Sequence, residues 1–237
     1  MRKDRFFIDS KINKGKIEIQ DKEIFHQLKN VLRKKVGERI ILFDGSGIEA
    51  EAEIKKFLKD KIEVEILKIE NPKREPEIFV SLFCSILKKS NFELVCQKAT
   101  EIGVKEIVPI ICKNTVKIGL NFKRLEKIAK EAAEQSKRLT LPKIEKILTF
   151  REAIERVKNF DLKILFDISG KDFSSLGKKV KKLAIFIGPE GGWDKSEIEL
   201  AKKENFEILN LGKLNLRSET AAIVASFLTI YFILRIN

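Results

Sequence analysis

The feature that most constrains this chain is a change of rhythm at residues 71–77, NPKREPE, where two prolines and four charged side chains break the pattern. Upstream, Ile62, Val64, Ile66 and Ile69 stand against Glu63, Glu65 and Lys68, close to the two-residue period of a half-buried strand. RFFI, KIEI and RIILFDGSG read the same way, and one helix is expected from about Asp21 to Lys35 with Ile24, Leu28, Val31 and Leu32 on one face. Downstream, apolar runs such as EIFVSLFCSIL, EIVPII, KIEKIL, LKILFD and LAIFIG alternate with helical stretches, as in a parallel sheet covered on both faces. Among those helices, one is expected over about Asn121–Arg138, one follows the capping-box pattern Thr149 to Glu152, and one starts at Asp194. The expected architecture is a small β-barrel domain over residues 1–70 and an α/β domain over 71–237.

Charge narrows the choice of partner. Lys and Arg number 48 against 35 Asp and Glu, a net charge of +13 over 237 residues. Cationic surfaces release counterions from a phosphate backbone on binding, so nucleic acid is the first partner to expect and an anionic membrane surface the second. Residues 113–146 concentrate the excess, with 10 basic and 4 acidic side chains, which suits a solvated helix face and an RNA-contacting one equally. At 43% hydrophobic the chain is too apolar for a disordered protein.

His26 is the only histidine, and Cys84, Cys96 and Cys112 lack the spacing of zinc ligands, so no metal site and no disulfide framework are expected. Their apolar neighbours point to buried, reduced thiols in a cytoplasmic protein. The start, MRKDRFFIDSKINKG, lacks the apolar core of a secretory signal. Ala221–Leu234 is shorter than the roughly 20 residues that span a bilayer, so a buried or interface helix is expected and no membrane partner.

Two loops that follow strands of the α/β half hold candidate chemistry, because ligands bind at the carboxyl ends of such strands. Gly188, Pro189, Glu190, Gly191, Gly192 and Trp193 form either a tight strand-to-helix turn or a cofactor loop; no phosphate-binding GK[ST] or GxGxxG is present. The second loop, Leu211–Thr220, is too rich in leucine to face water, so it either packs or wraps an apolar ligand. Its Arg217 and Glu219 are then either used beside that site or paired with each other at the start of the last helix. Helical spacing also groups Lys98 with Glu101, and Glu131 with Gln135 and Arg138; ordinary surface pairing is the plainer reading of the first set.

Taken in order, KSNFELVCQKATEIGV, EIVPI, EAAEQSKRLTLP, FIGPEGGW and LGKLNLRSETAAIVA resemble the motifs of the RsmE family of 16S rRNA uridine-N3 methyltransferases in the SPOUT superfamily. His26 with NVLR and ILFDGSG is similar to that family's PUA-like RNA-binding domain. The resemblance implies S-adenosylmethionine held in a carboxyl-terminal trefoil knot, a homodimer, and as substrate a uridine of 16S rRNA within the assembled small ribosomal subunit. It assigns cofactor binding to Phe166, Gly188, Pro189, Glu190, Gly191, Gly192, Leu211, Gly212, Leu214 and Leu216. It assigns catalysis to Arg217, Glu219 and Lys98, and RNA contact to Arg5, His26, Arg33, Gln135 and Arg138. Arg217 would donate to a uracil oxygen as N3 loses its proton, and Glu219 is the proton acceptor or a support for Arg217. A related methyltransferase acting on tRNA or on a ribose 2′-hydroxyl, and a noncatalytic ribosome-assembly factor, are the alternatives.

Overall fold

The computed structural model describes residues 4–116, 119–173 and 180–236, so the first three residues of the amino-terminal segment lie outside the described residues. The chain gathers into two compact units, Met1–Glu75 with Ala133–Leu141, and Pro76–Ala132 with Pro142–Asn237.

In the first unit, β1 (Arg5–Phe7), β2 (Gly15–Ile19), β3 (Arg39–Phe43), β4 (Glu49–Phe57) and β5 (Ile62–Glu70) form one sheet in the order β1-β3-β4-β5-β2. Only β1 and β3 run parallel. Ile62, Val64 and Ile66 alternate into a core shared with Leu42, Ala52 and Ile54. The period then slips. Ala52 pairs with Ile66 but Glu51 with Lys68, which makes Leu67 the extra residue of a bulge and turns it to solvent. The helix expected over 21–35 is shorter. α1 (Lys22–His26), capped by Asp21, runs into a π turn over Gln27–Val31 and stops there. Ile24 and Leu28 are buried as expected, but Val31 and Leu32 are exposed, because the wider turn advances the helix phase and Arg33 then adopts φ 51°.

The second unit holds a parallel sheet of β6 (Phe79–Ser85), β7 (Glu106–Ile111), β8 (Lys143–Ile144), β9 (Leu148–Thr149), β10 (Leu162–Asp172), β11 (Lys182–Ile187) and β12 (Glu207–Asn210). The order is β12-β10-β11-β6-β7-β8, with β9 also on β7. The expected strand KIEKIL is therefore two short strands rather than one. Alternate residues serve opposite layers. Val80, Leu82, Leu183 and Ile185 meet α2 (Lys89–Ile102), α3 (Phe122–Ser136) and α6 (Ser218–Ile236) through Phe92, Leu125 and Ala225. Phe83, Val108 and Phe186 face the other way, toward Phe150 and Ile154 of α4 (Phe150–Arg156) and Ala201 of α5 (Lys195–Lys203). Thr149 and Asp194 cap α4 and α5 with complete capping boxes.

Two departures from simple layering matter for the site. The chain passes from β11 to β12 across β10, so β10 lies between two strands that follow it. Beyond Phe166 its pairing with β12 shifts register, and Gly170 lies so close to Leu209 that a Cβ would fall 2.5 Å from the backbone there. α3 buries Leu125, Ile128, Ala129, Ala132 and Ala133 at helical spacing and ends in a left-handed residue, Lys137, with Arg138 N–H bonded to Ala133 O at 3.0 Å. Arg138 thus lies past the helix end, and it does not share the exposed face of Glu131 and Gln135.

Candidate functional site

The middle of β10 and the loops after β11 and β12 close around a cavity of about 430 Å³, within the range of small-ligand pockets. All ten residues assigned to the cofactor line it, from Phe166 through the Gly188–Gly192 loop to Leu211, Gly212, Leu214 and Leu216, and Arg217 joins them. Sequence reading missed Asp167, Ile168, Ile187, Asn210 and Ala221, and it named Trp193, Asn215 and Ser218 within the two loops without assigning them to the cofactor; all eight complete the lining. Asn210 could have been found: it adjoins a quoted loop and carries a side-chain donor that a buried turn must satisfy.

Three hydrogen-bonded contacts set the cavity wall. Trp193 lies against Gly188, where any Cβ would come within 3.0 Å of the indole, and its Nε1 donates to Phe166 O at 2.9 Å. The indole thereby ties β10 itself to the loop after β11. The Asn210 amide donates to Gly170 O at 2.8 Å and its Oδ1 accepts from Gly212 N–H at 3.0 Å, which ties β12 to the extension of β10. Gly192 N–H closes a turn onto Pro189 O at 2.9 Å. On the opposite side Leu214 is 81% exposed, an apolar surface with nothing of its own unit laid over it.

Charge on the lining is confined to Asp167, Glu190 and Arg217 among the described residues. Arg217 is exposed and makes no side-chain hydrogen bond or ion pair among them. The alternative in which it pairs with Glu219 is therefore not what the structure holds. Glu219 is buried near the start of α6, it does not line the cavity, and its Oε2 has no hydrogen-bond partner among the described residues. Lys98 lies outside the lining too, bonded to Glu101 at 2.8 Å on α2. Cys84, Cys96 and Cys112 are buried and free; burial pushes the Cys84 thiol up and those of Cys96 and Cys112 to about 12, so none is a nucleophile.

The five residues assigned to RNA all belong to the first unit but not to one surface type. His26 is exposed with Nδ1 2.9 Å from the Asn30 amide, and Arg33 and Gln135 are exposed as well. Arg5 and Arg138 are buried. Arg5 pairs with Glu49, donates to Arg138 O at 2.9 Å and covers the Phe43 ring, while Arg138 bonds Glu75 at 2.9 Å and Thr140 at 3.2 Å. Their guanidinium groups are spent inside the unit, which corrects the expectation that they face RNA. No group of three or more His, Cys, Asp or Glu side chains among the described residues is arranged to hold a metal ion, and no described helix is long and apolar enough to cross a membrane.

One unit holds a parallel sheet with a glycine-walled cavity at its carboxyl ends, the other a five-stranded sheet, and the family matches place the chain among RNA methyltransferases. The RNA methyltransferase domain family matches residues 74–229 and the RNA methyltransferase PUA domain family residues 19–67. Ribosomal RNA small subunit methyltransferase E of Rickettsia conorii is 34% identical over 95% of this chain and 94% of that protein, and its Bacillus subtilis counterpart 31% identical over 93% of each. The crystal structure of ribosomal RNA small subunit methyltransferase E from Neisseria gonorrhoeae bound to S-adenosyl methionine superposes with a TM-score of 0.88 at 29% identity over 95% of both chains. The chain belongs to the ribosomal RNA small subunit methyltransferase E family, with the PUA-like and SPOUT-type folds of that family.

Proposed function

We propose that this protein methylates N3 of a uridine in 16S rRNA with S-adenosylmethionine as donor, acting in the cytoplasm as a homodimer on the assembled small ribosomal subunit. One observation carries the reading: ten residues separated by up to fifty positions converge on a single cavity with Arg217 at its edge. The donor set suits the cofactor. Backbone groups of the Gly188–Gly192 and Asn210–Leu216 segments are available to adenine and ribose, and the leucines to the ring face. Asp167 and Glu190 outnumber Arg217 on the lining, matching a ligand with a cationic sulfonium. When bound, S-adenosylmethionine supplies a methyl group on that sulfonium.

The rest falls to the chain's own side chains. N3 of uridine lies on the Watson–Crick edge and carries a proton, so the base must be unpaired to enter. Arg217, without a side-chain hydrogen bond or ion pair among the described residues, donates to a uracil oxygen and stabilises the charge that builds there as the proton leaves. Glu219, whose buried Oε2 has no hydrogen-bond partner among the described residues, is the acceptor for that proton or the support that orients Arg217. His26 and Arg33 engage RNA from the first unit; Lys98, held by Glu101, supports α2. The close approach of Gly170 to the Leu209 backbone, with the register shift beyond Phe166, fits a knotted cofactor domain. The dimer reading rests on α6, where Phe227 and Tyr231 are 53% and 42% exposed and stack at 5.8 Å.

Transfer of label from methyl-labelled S-adenosylmethionine to purified small subunits tests the reading. Incorporation into small subunits and little into naked rRNA is expected. No incorporation into either, with cofactor bound, would leave a noncatalytic binding protein.

A further inference from the structure

The loop that follows β7 contributes nothing to the cavity lining, yet it is fastened to the cavity wall. Asn114 Nδ2 donates to the carbonyl oxygens of Gly191 at 3.3 Å and Gly192 at 3.1 Å, so both amide hydrogens are directed at the cofactor turn. The approach is close at residue 191: a Cβ there would lie 3.2 Å from Asn114 Cβ, so an alanine would push the two segments apart by a few tenths of an ångström. The neighbours of Asn114 hold the loop by other means. Thr115 Oγ1 accepts from Cys112 N–H at 2.8 Å and shares a hydrogen bond with buried Ser85. Lys113 N–H donates to Glu197 Oε1 at 3.0 Å, Glu197 Oε2 accepts from Asp194 N–H, and Lys113 Nζ pairs with Asp194 at 2.8 Å.

We infer that Asn114 is a positioning residue for the cofactor, acting through the Gly191–Gly192 turn; the inference rests on the reading of the cavity as the S-adenosylmethionine site. Residues 113 and 115 also anchor the loop, to α5 and β6, so its place does not depend on the Asn114 amide, which serves the turn. A peptide unit is planar, so fixing the carbonyls of Gly191 and Gly192 also fixes the N–H groups of Gly192 and Trp193. The first of these closes the turn onto Pro189, and the second belongs to the residue whose indole joins β10 to the loop after β11. Asn114 thus sets the wall that the ligand meets without touching the ligand, which lowers the ordering cost of binding.

The test compares Asn114→Ala, Asn114→Asp, Gly191→Ala and the Asn114→Ala/Gly191→Ala double variant with the parent chain. Binding of S-adenosylmethionine is read by calorimetry and by emission of Trp193, the only tryptophan. Losing two neutral hydrogen bonds should weaken binding on the order of tenfold in Asn114→Ala. Asn114→Asp, which sets a carboxylate against two carbonyls, should be weaker still. The KM for RNA and the melting temperature should stay near those of the parent, which a general packing role would not allow. Gly191→Ala should do more damage in the parent than in the Asn114→Ala background, the non-additivity of residues in contact. Hydrogen exchange at the Gly192 amide, measured without ligand, should quicken in Asn114→Ala. Parent-like affinity and parent-like exchange in Asn114→Ala would overturn the inference. Failure of the parent itself to bind S-adenosylmethionine would instead overturn the reading beneath it, and the exchange result would still decide the role of Asn114.

Discussion

Arg217 and Glu190 line the same cavity with opposite charge, and they should fail differently when changed. Arg217 makes no side-chain contact among the described residues, so Arg217→Ala should melt and bind S-adenosylmethionine like the parent while single-turnover methylation falls on the order of 10²–10³, the loss of one charge-stabilising donor. On the proposed reading Glu190 would face positive charge that vanishes as the methyl leaves sulfur, so Glu190→Gln should act mainly on cofactor affinity. Calorimetry and single-turnover rates on both variants separate the two. The residues that line the cavity were legible in part from glycine and leucine content after strands, and the motif resemblance sorted them. Arg5 and Arg138 were not: a basic side chain reads alike in sequence whether it meets RNA or an internal carboxylate, and only the fold brings Glu49 and Glu75 to them.

At the scale of elements, strands and helices were read from period, and errors arose where the period was interrupted from within. The π turn after α1 and the bulge at Leu67 each add one residue to a repeat, which a pattern of apolar spacing cannot distinguish from a change of face. The return of residues 133–141 to the first unit also has no local signal, since it depends on Arg5, Arg74 and Glu75 finding partners far along the chain. Glu49 is the hub of that network. The guanidinium groups of Arg74 and then Arg5 hold its carboxyl below the usual range, and Lys143 with Arg156 hold Glu145 at about 2. Carboxyls depressed in the folded state contribute stability that is complete above their unfolded values, roughly 4.3, and is lost as pH falls toward the folded ones. Melting temperature should therefore drop between about pH 5 and pH 2. Glu49→Ala, which strands buried Arg5, should destabilise by on the order of 3 kcal/mol in denaturant titration at pH 7 and flatten part of that slope.

For the whole molecule, cofactor and RNA are assigned to different units, so variants in one should spare the ligand of the other. His26→Ala with Arg33→Ala should raise the KM for small subunits several-fold, shift its salt dependence and leave S-adenosylmethionine affinity unchanged. A point-variant test is preferable to removal of residues 1–70, which would strip Arg138 and its segment of Arg5 and uncover buried Leu139. The exposed Phe227–Tyr231 stack on α6 should be covered by a second copy. Sedimentation of the parent should give a dimer at micromolar concentration, and Phe227→Asp with Tyr231→Asp should give monomer with much reduced turnover; a fully active parent monomer would contradict the dimer.

The central claim is the position of the new methyl group, and nucleoside mass spectrometry reads it directly. Small subunits lacking the modification, incubated with the protein and S-adenosylmethionine and then digested, should yield one N3-methyluridine per 16S rRNA, absent with Arg217→Ala at matched times. A 2′-O-methyl nucleoside, a methylated tRNA in preference to the subunit, or no methylated nucleoside from cofactor-bound protein would contradict the account.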